Sequence, residues 1–173
     1  MYLVISASLN PGSRSRLLAS ACRARLEAGH RQITWFDLAK TPLPFCDGAA
    51  AYGDANVIEL GGHIDAADGI FVASPVYNYD VNAAIKNAVE LTGKKWTGKV
   101  VALMLAAGGS GSYMSAMGLA NSLMLDFRCH IIPRFVYATG DAFEGDQLTD
   151  ETVQSRVGQL VEDTVKLTEA LKS

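Results

Sequence analysis

The 173-residue chain predicts a three-layer α/β fold, a doubly wound parallel sheet of five strands in the order 2-1-3-4-5. Three observations predict it. Apolar, β-rich runs alternate five times with stretches of helical periodicity. The first, third and fourth runs are almost unbroken, as strands covered by helices on both faces are. No linker, repeat or low-complexity tract divides the chain, so residues 1–173 are read as one domain. Right-handed crossovers then leave few orders for the sheet.

Each element follows from its own pattern. "YLVIS", residues 2–6, is the first strand. The helix of 14–28 carries Leu18, Cys22 and Leu26 on one face and stops at Gly29, read as its left-handed terminating glycine. "QITWFD", 32–37, is the second strand, followed by a helix over 55–66. "GIFVAS", 69–74, is the third, and Pro75 is expected to stop it because proline removes a ladder donor. A helix over 80–92, capped by Asp80, comes next. "KVVALMLA", 99–106, precedes a helix over 113–126. "HIIPRFVY", 130–137, precedes the last helix, 151–171, whose Val153, Val157, Leu160, Leu167 and Leu171 form one apolar stripe.

Composition narrows the function. With 49% hydrophobic and 19% charged residues the chain reads as an ordinary globular protein. Its net charge of −3 and lack of a Lys/Arg cluster argue against nucleic acid as a partner. No signal peptide or membrane-length apolar run is read, so no membrane partner is expected. Cys22, Cys46 and Cys129 are odd in number, widely spaced and without a CxxC, which suits free thiols in a reducing cytoplasm.

In a sheet of this order, ligands bind at the carboxyl ends of the strands, where the order reverses. The loops after strands one, three and four meet there, and they are the unusual ones. The first, "SLNPGSRS", sets Ser8, Asn10, Ser13 and Ser15 ahead of a helix N-terminus, with Gly12 between them and Arg14 and Arg16 beside them. Short donors, free amides and a helix dipole make a phosphate cradle. A single cap needs one such residue, not four. The second, "SPVYNYD", offers Pro75, Val76, Tyr77 and Asn78 as an apolar wall with one amide, suited to a flat heteroaromatic ligand. The third, "AAGGSGSYM", offers Gly108, Gly109, Ser110 and Gly111 as bare backbone against a planar ring. Missing parts matter too. No G-x-G-x-x-G follows the first strand and no G-x-x-x-x-G-K-[ST] exists. His30, His63 and His130 lie apart from these loops, so a metal site and a catalytic triad both lack members.

These residues resemble the NAD(P)H-dependent FMN reductases of the flavodoxin-like fold, a family that takes in quinone, azo-dye and chromate reductases. The family's first loop reads roughly G-S-x-R-x-x-S-x-N. This chain keeps Ser8 and Ser13 and substitutes Ala7, Asn10 and Ser15 for the glycine, arginine and asparagine. The family's P-x-Y-N is intact at Pro75–Asn78, "AAIKNAVE" follows it closely, and the Gly108-Gly109 pair is intact. The resemblance implies FMN as cofactor, with NADPH or NADH as electron donor and a small molecule as acceptor. By it, Ser8, Asn10, Ser13, Arg14 and Ser15 would hold the phosphate. Pro75, Val76, Tyr77 and Asn78 would flank the ribityl chain and one ring edge; Gly108, Gly109, Ser110 and Gly111 would meet the pyrimidine edge. It also implies a homodimer or homotetramer, with the 80–92 helix near the subunit contact.

Hydride transfer between nicotinamide and flavin needs stacking and orientation, not a protein acid or base, so no catalytic side chain is expected. A non-enzymatic flavodoxin-type electron carrier is the alternative. It would carry a T-x-T-G-x-T type phosphate loop and a strongly acidic surface, and neither is present. A binding domain that has kept the fold and lost turnover is a third reading.

Overall fold

The computed structural model describes residues 1–172. Its strands are β1 (Tyr2–Ser6), β2 (Ile33–Asp37), β3 (Gly69–Tyr77), β4 (Asp80–Val81), β5 (Val100–Ala106), β6 (His130–Ile131), β7 (Val136–Ala138), β8 (Phe143–Glu144) and β9 (Gln147–Leu148). The helices are α1 (Arg14–Ala28), α2 (Ala55–Ala66), α3 (Ala83–Thr92), α4 (Met117–Phe127) and α5 (Glu151–Ala170). The central sheet runs β2-β1-β3-β5, with β6 and β7 in turn continuing the β5 edge. All these pairs are parallel. Counting β6 and β7 as one interrupted strand and leaving β4 aside as a hairpin return, the order is the expected 2-1-3-4-5.

The period of two along each strand divides the core. Leu3, Ile5, Ile70, Val72, Val101 and Leu103 face α2, α3 and α4 through Leu60, Ile64, Ile85, Val89, Leu119 and Leu123. Tyr2, Val4, Phe71, Ala102 and Met104 face α1 and α5 through Leu18, Cys22, Leu26, Val157 and Leu160. Truncating a ring such as that of fully buried Phe71 to alanine removes about 3–5 kcal/mol of such packing. Burial pushes the Cys22 thiol well above its ordinary range and that of Cys129 to about 11.

Four details depart from the sequence reading. First, β3 does not stop at Pro75 but continues to Tyr77, with Pro75 opposite Ala106. Ala73 offers its carbonyl to Ala7 on the β1 side. Two residues on, the nitrogen of Pro75 points the same way, past the last β1–β3 pair at Ser6 and Ala73, and the carbonyl of Ala7 there takes its hydrogen bond from Asn82 Nδ2 instead. Second, Val76 and Tyr77 pair back on Val81 and Asp80 through a two-residue hairpin whose tip residues, Asn78 and Tyr79, have φ of 51° and 68°. Helix α3 therefore starts at Ala83 rather than at residue 80, and Asp80 is a strand residue that does not cap it. Third, a 3₁₀ helix over Ser110–Ala116 delays α4 to Met117. Fourth, the left-handed residue ending α1 is His30, not Gly29. The Arg31 amide reaches Leu26 O and the His30 amide reaches Glu27 O, which closes a Schellman turn one residue later than expected.

Helix α5 buries Thr164 and Thr168 in its stripe, each hydroxyl donating 2.6 Å to the carbonyl four residues back, while Leu171 is exposed. No helix among the described residues is long and apolar enough to cross a membrane.

Candidate functional site

At the carboxyl ends of β1, β3 and β5 the three loops close around one cleft of about 290 Å³. The first loop contributes Asn10, Gly12, Ser13, Arg14 and Ser15; β3 contributes Pro75, Val76 and Tyr77; the end of β5 contributes Ala106, Ala107 and Gly108. Eight of the thirteen sequence-predicted site residues thus line a single cavity: Asn10, Ser13, Arg14, Ser15, Pro75, Val76, Tyr77 and Gly108.

The first loop is braced by hydrogen bonds of its own. Asn10 N–H donates to the buried Ser8 Oγ at 3.2 Å, and Gly12 N–H donates to Asn10 Oδ1 at 3.0 Å. Ser8 is therefore an internal brace of the loop rather than a wall of the cleft. Ser13 occupies the cap position of α1, but its side chain accepts no first-turn amide and instead shares a 2.8 Å hydrogen bond with Ser15 Oγ. The caps of α2 and α5, Asp54 and Asp150, do accept such amides. The first turn of α1 also lacks an acidic residue; the Arg16 amide bonds back to Ser13 O at 3.1 Å, which leaves the amides of Arg14 and Ser15 and the dipole without a side-chain cap.

The two arginines part company. Arg16 turns back to donate to Asp37 Oδ1 at 2.8 Å and to Pro11 O at 2.6 Å. Its charge is spent on Asp37, which ends β2 with a carboxylate only 4% exposed. Arg14 is exposed, makes no ion pair among the described residues and lies 5.8 Å from the Phe143 ring centroid. It is the cation on the cleft.

The wall formed by β3 is tied to the first loop by a residue the sequence reading passed over. Asn82 precedes α3 and would ordinarily be taken for its cap, yet it makes no cap bond. Its Nδ2 donates 2.7 Å to Ala7 O, its Oδ1 accepts from Ser74 Oγ at 3.1 Å, and its own N–H donates to that same oxygen at 3.1 Å. An asparagine before a helix was the available signal, but the pattern could not say which loop it would reach.

Asn78 lies at the hairpin tip and lines a different groove, with Asp80, Lys86, Gly118 and Ser122. Gly109, Ser110 and Gly111 follow the cleft-lining Gly108 but are exposed and outside its lining. A methyl group placed on Gly108, Gly109 or Gly111 would meet nothing within 4 Å, and none of the three has positive φ. The chain's own fold thus has no need of these glycines, and they keep open space beside the cleft.

A family model described as "NADPH-dependent FMN reductase" matches residues 2–144. The chain belongs to this family. Among its relatives is an NAD(P)H-dependent FAD/FMN reductase of Geobacillus thermodenitrificans, 31% identical, with 82% of this chain and 78% of the relative covered. An NADPH azoreductase of a Bacillus species is 25% identical, with 99% and 92% covered. An NAD(P)H:quinone oxidoreductase of Solanum tuberosum is 29% identical, with 87% and 83% covered. In fold, the chain is similar to FerB, a flavoenzyme NAD(P)H:(acceptor) oxidoreductase from Paracoccus denitrificans, with a TM-score of 0.79 at 22% identity, covering 98% of this chain and 97% of that one. Membership carries the expected flavodoxin-like fold and the expected FMN and NAD(P)H with it.

The residues present fit an FMN reductase. A phosphate requires unsatisfied amides and a free cation, and the start of α1 with Arg14 has both. A planar ring requires open backbone and an apolar wall, which Gly108 and the Pro75–Tyr77 segment provide.

Proposed function

We propose that this protein is an NAD(P)H-dependent FMN reductase that holds FMN in the cleft between the three loops. Ser13, Ser15, Arg14 and the first-turn amides of α1 take the phosphate, Pro75, Val76 and Tyr77 flank the ribityl chain and one ring edge, and Gly108 leads the backbone that meets the other edge. When bound, FMN supplies the redox chemistry, taking electrons from NAD(P)H for an acceptor. The chain's own share is to bind, orient and leave one ring face accessible. No acid, base or nucleophile is asked of it, in keeping with a cleft lined by no histidine, cysteine or carboxylate.

The observation that carries the reading is that glycines unneeded by the fold stand open beside uncapped helix amides and a free arginine. Flavin titration tests it. Ser13→Ala should weaken FMN by several-fold, on the order of the 1 kcal/mol typical of one hydrogen bond. It should leave riboflavin, which lacks the phosphate, unaffected. Equal FMN affinity in the variant would show that the phosphate lies elsewhere.

The acceptor is a small molecule of the kind that the quinone- and azo-reducing relatives are named for. Nicotinamide turnover with a quinone, an azo dye and free FMN as acceptors ranks them. We also assign the working form as a homo-oligomer. Two grooves of about 650 and 600 Å³ sharing Lys86 and Ser122 run along α3 and α4, and α4 also exposes Met124 and Leu125 outside them, a surface suited to a second copy. Three unpaired cysteines suit the cytoplasm.

A further inference from the structure

The glycine-rich loop after β5 is not held by its own packing, since a methyl at Gly108, Gly109 or Gly111 would touch nothing. At its start the Ala107 amide donates to Ala138 O at 2.9 Å, and beyond Gly108 the polar contact that holds it comes from a side chain of the edge strand. Tyr137 Oη donates to Gly109 O at 2.5 Å and shares a 2.8 Å hydrogen bond with Ser112 Oγ. The ring of Tyr113, in the same loop, leans on Phe135 at a tilt of 34° with centroids 4.9 Å apart and meets Tyr137 edge-on at 5.4 Å.

Tyr137 reaches this position because the edge strand is interrupted. Ile131 pairs with Val101 and Val136 with Met104, so four residues of the edge lie opposite two of β5. The excess around Pro133 resets the register and places Tyr137 opposite Leu105, at the end of the strand where the loop departs. The carbonyl of Gly109 is thereby occupied by a phenol, and Ser112, the residue with non-helical φ and ψ in the 3₁₀ turn, is pinned by the same oxygen.

We propose that Tyr137 is a positioning residue that latches the glycine-rich loop in the conformation that meets the flavin ring. The inference rests on the reading of the cleft as the FMN site and adds the residue that orders its ring-facing side. Reduction of a flavin builds negative charge on the pyrimidine edge, and backbone amides held in place stabilise that charge better than amides that wander. The latch should therefore act on the ring and leave the phosphate contacts untouched.

The test compares FMN and riboflavin binding, and the midpoint potential of bound FMN, in the full-length wild-type chain and in Tyr137→Phe. The variant keeps the ring and its edge-on contact with Tyr113 and loses only the hydroxyl. Both flavins should bind more weakly by the same factor, roughly three- to tenfold for one to two hydrogen bonds, with their affinity ratio unchanged and the potential lowered. Ser112→Ala, a substitution outside the sheet, should move affinity and potential in the same direction by a smaller amount, and it decides the matter if Tyr137→Phe does not fold. Wild-type binding of both flavins with unchanged affinity and potential in the variant overturns the latch alone. A wild-type chain that binds neither flavin overturns the cleft reading and the latch with it.

Discussion

Gly108→Ala separates what the fold needs from what the ligand needs. The position has no positive φ, is exposed, and offers a new methyl group no neighbour within 4 Å. Folding should therefore tolerate the change and even gain from it. An alanine that fits its native backbone stabilises by about 0.4–1 kcal/mol because the unfolded chain loses freedom. For a domain of this size that is a rise of roughly 1–4 °C in melting temperature. Flavin binding should respond in the opposite sense, because Gly108 lines the cleft together with Ala106 and Ala107. Crowding of this kind costs about 1–3 kcal/mol, so FMN affinity should fall roughly five- to 150-fold. Thermal melts of the apoprotein and fluorescence titration with FMN give the two numbers. A variant that melts lower would show that the loop's own backbone needs glycine. One that binds FMN as tightly as the wild type would show that the ligand does not approach Gly108.

Asn82→Ala should cost roughly 2–4 kcal/mol in urea unfolding, since it strands Ala7 O and loosens Ser74 in a buried site, and should weaken FMN as the first two loops part. Asn82→Asp, which sets an acceptor against Ala7 O, should be at least as damaging; a wild-type midpoint in either variant would contradict the tie. Arg14→Ala should lower FMN affinity and flatten its salt dependence while Arg16→Ala chiefly lowers stability, because Arg16 alone is committed to Asp37; a reversed pattern in the titrations would exchange their roles. Alkylation of the native protein at pH 8 followed by mass analysis should modify Cys46 quickly and leave Cys22 and Cys129 intact, since burial raises both of the latter and only a thiolate reacts. Above pH 8.5 or so, where an unfolded thiol ionises, that same shift costs stability until Cys129 itself ionises near 11, so Cys129→Ala should flatten the alkaline limb of a pH–stability curve.

The sheet, its order and its two helical layers were legible because burial on both faces writes itself into strand composition, as in "VVALML" of β5. The convergence of the three loops followed from that order, and eight of the predicted residues do line one cleft. What escaped were facts settled by the register of neighbours. Whether Pro75 ends β3 depends on where β1 has already stopped. Whether Arg16 is free depends on Asp37, twenty-one positions away at the end of another strand. Whether Asn82 caps its own helix or braces Ala7 depends on a contact across 75 positions. None of these has a local signature, because each is a choice among partners supplied by the tertiary fold.

The cleft is assembled from parts of unequal stiffness, and the inequality fits its task. The side proposed for the phosphate is over-determined: Ser8, Asn10, Gly12 and Arg16 hydrogen-bond within or beneath the loop, which fixes how it leads into the start of α1. The wall beside it ends in a hairpin whose Tyr79 holds φ of 68°, a conformation that costs a bulky residue of order 1–3 kcal/mol and is sustained by the pairing of Tyr77 with Asp80. The ring side has no such redundancy. Past the Ala107–Ala138 backbone bond, it is open glycine backbone joined to the edge strand through the oxygen of Tyr137 and the tilted ring of Tyr113. An anion that must be recognised on entry is best met by fixed donors. A ring whose face must stay open to a donor and then an acceptor is better met by a thin backbone edge under adjustable tension. On the proposed reading, affinity is therefore concentrated at the start of α1, and the tuning of the flavin at the end of β5.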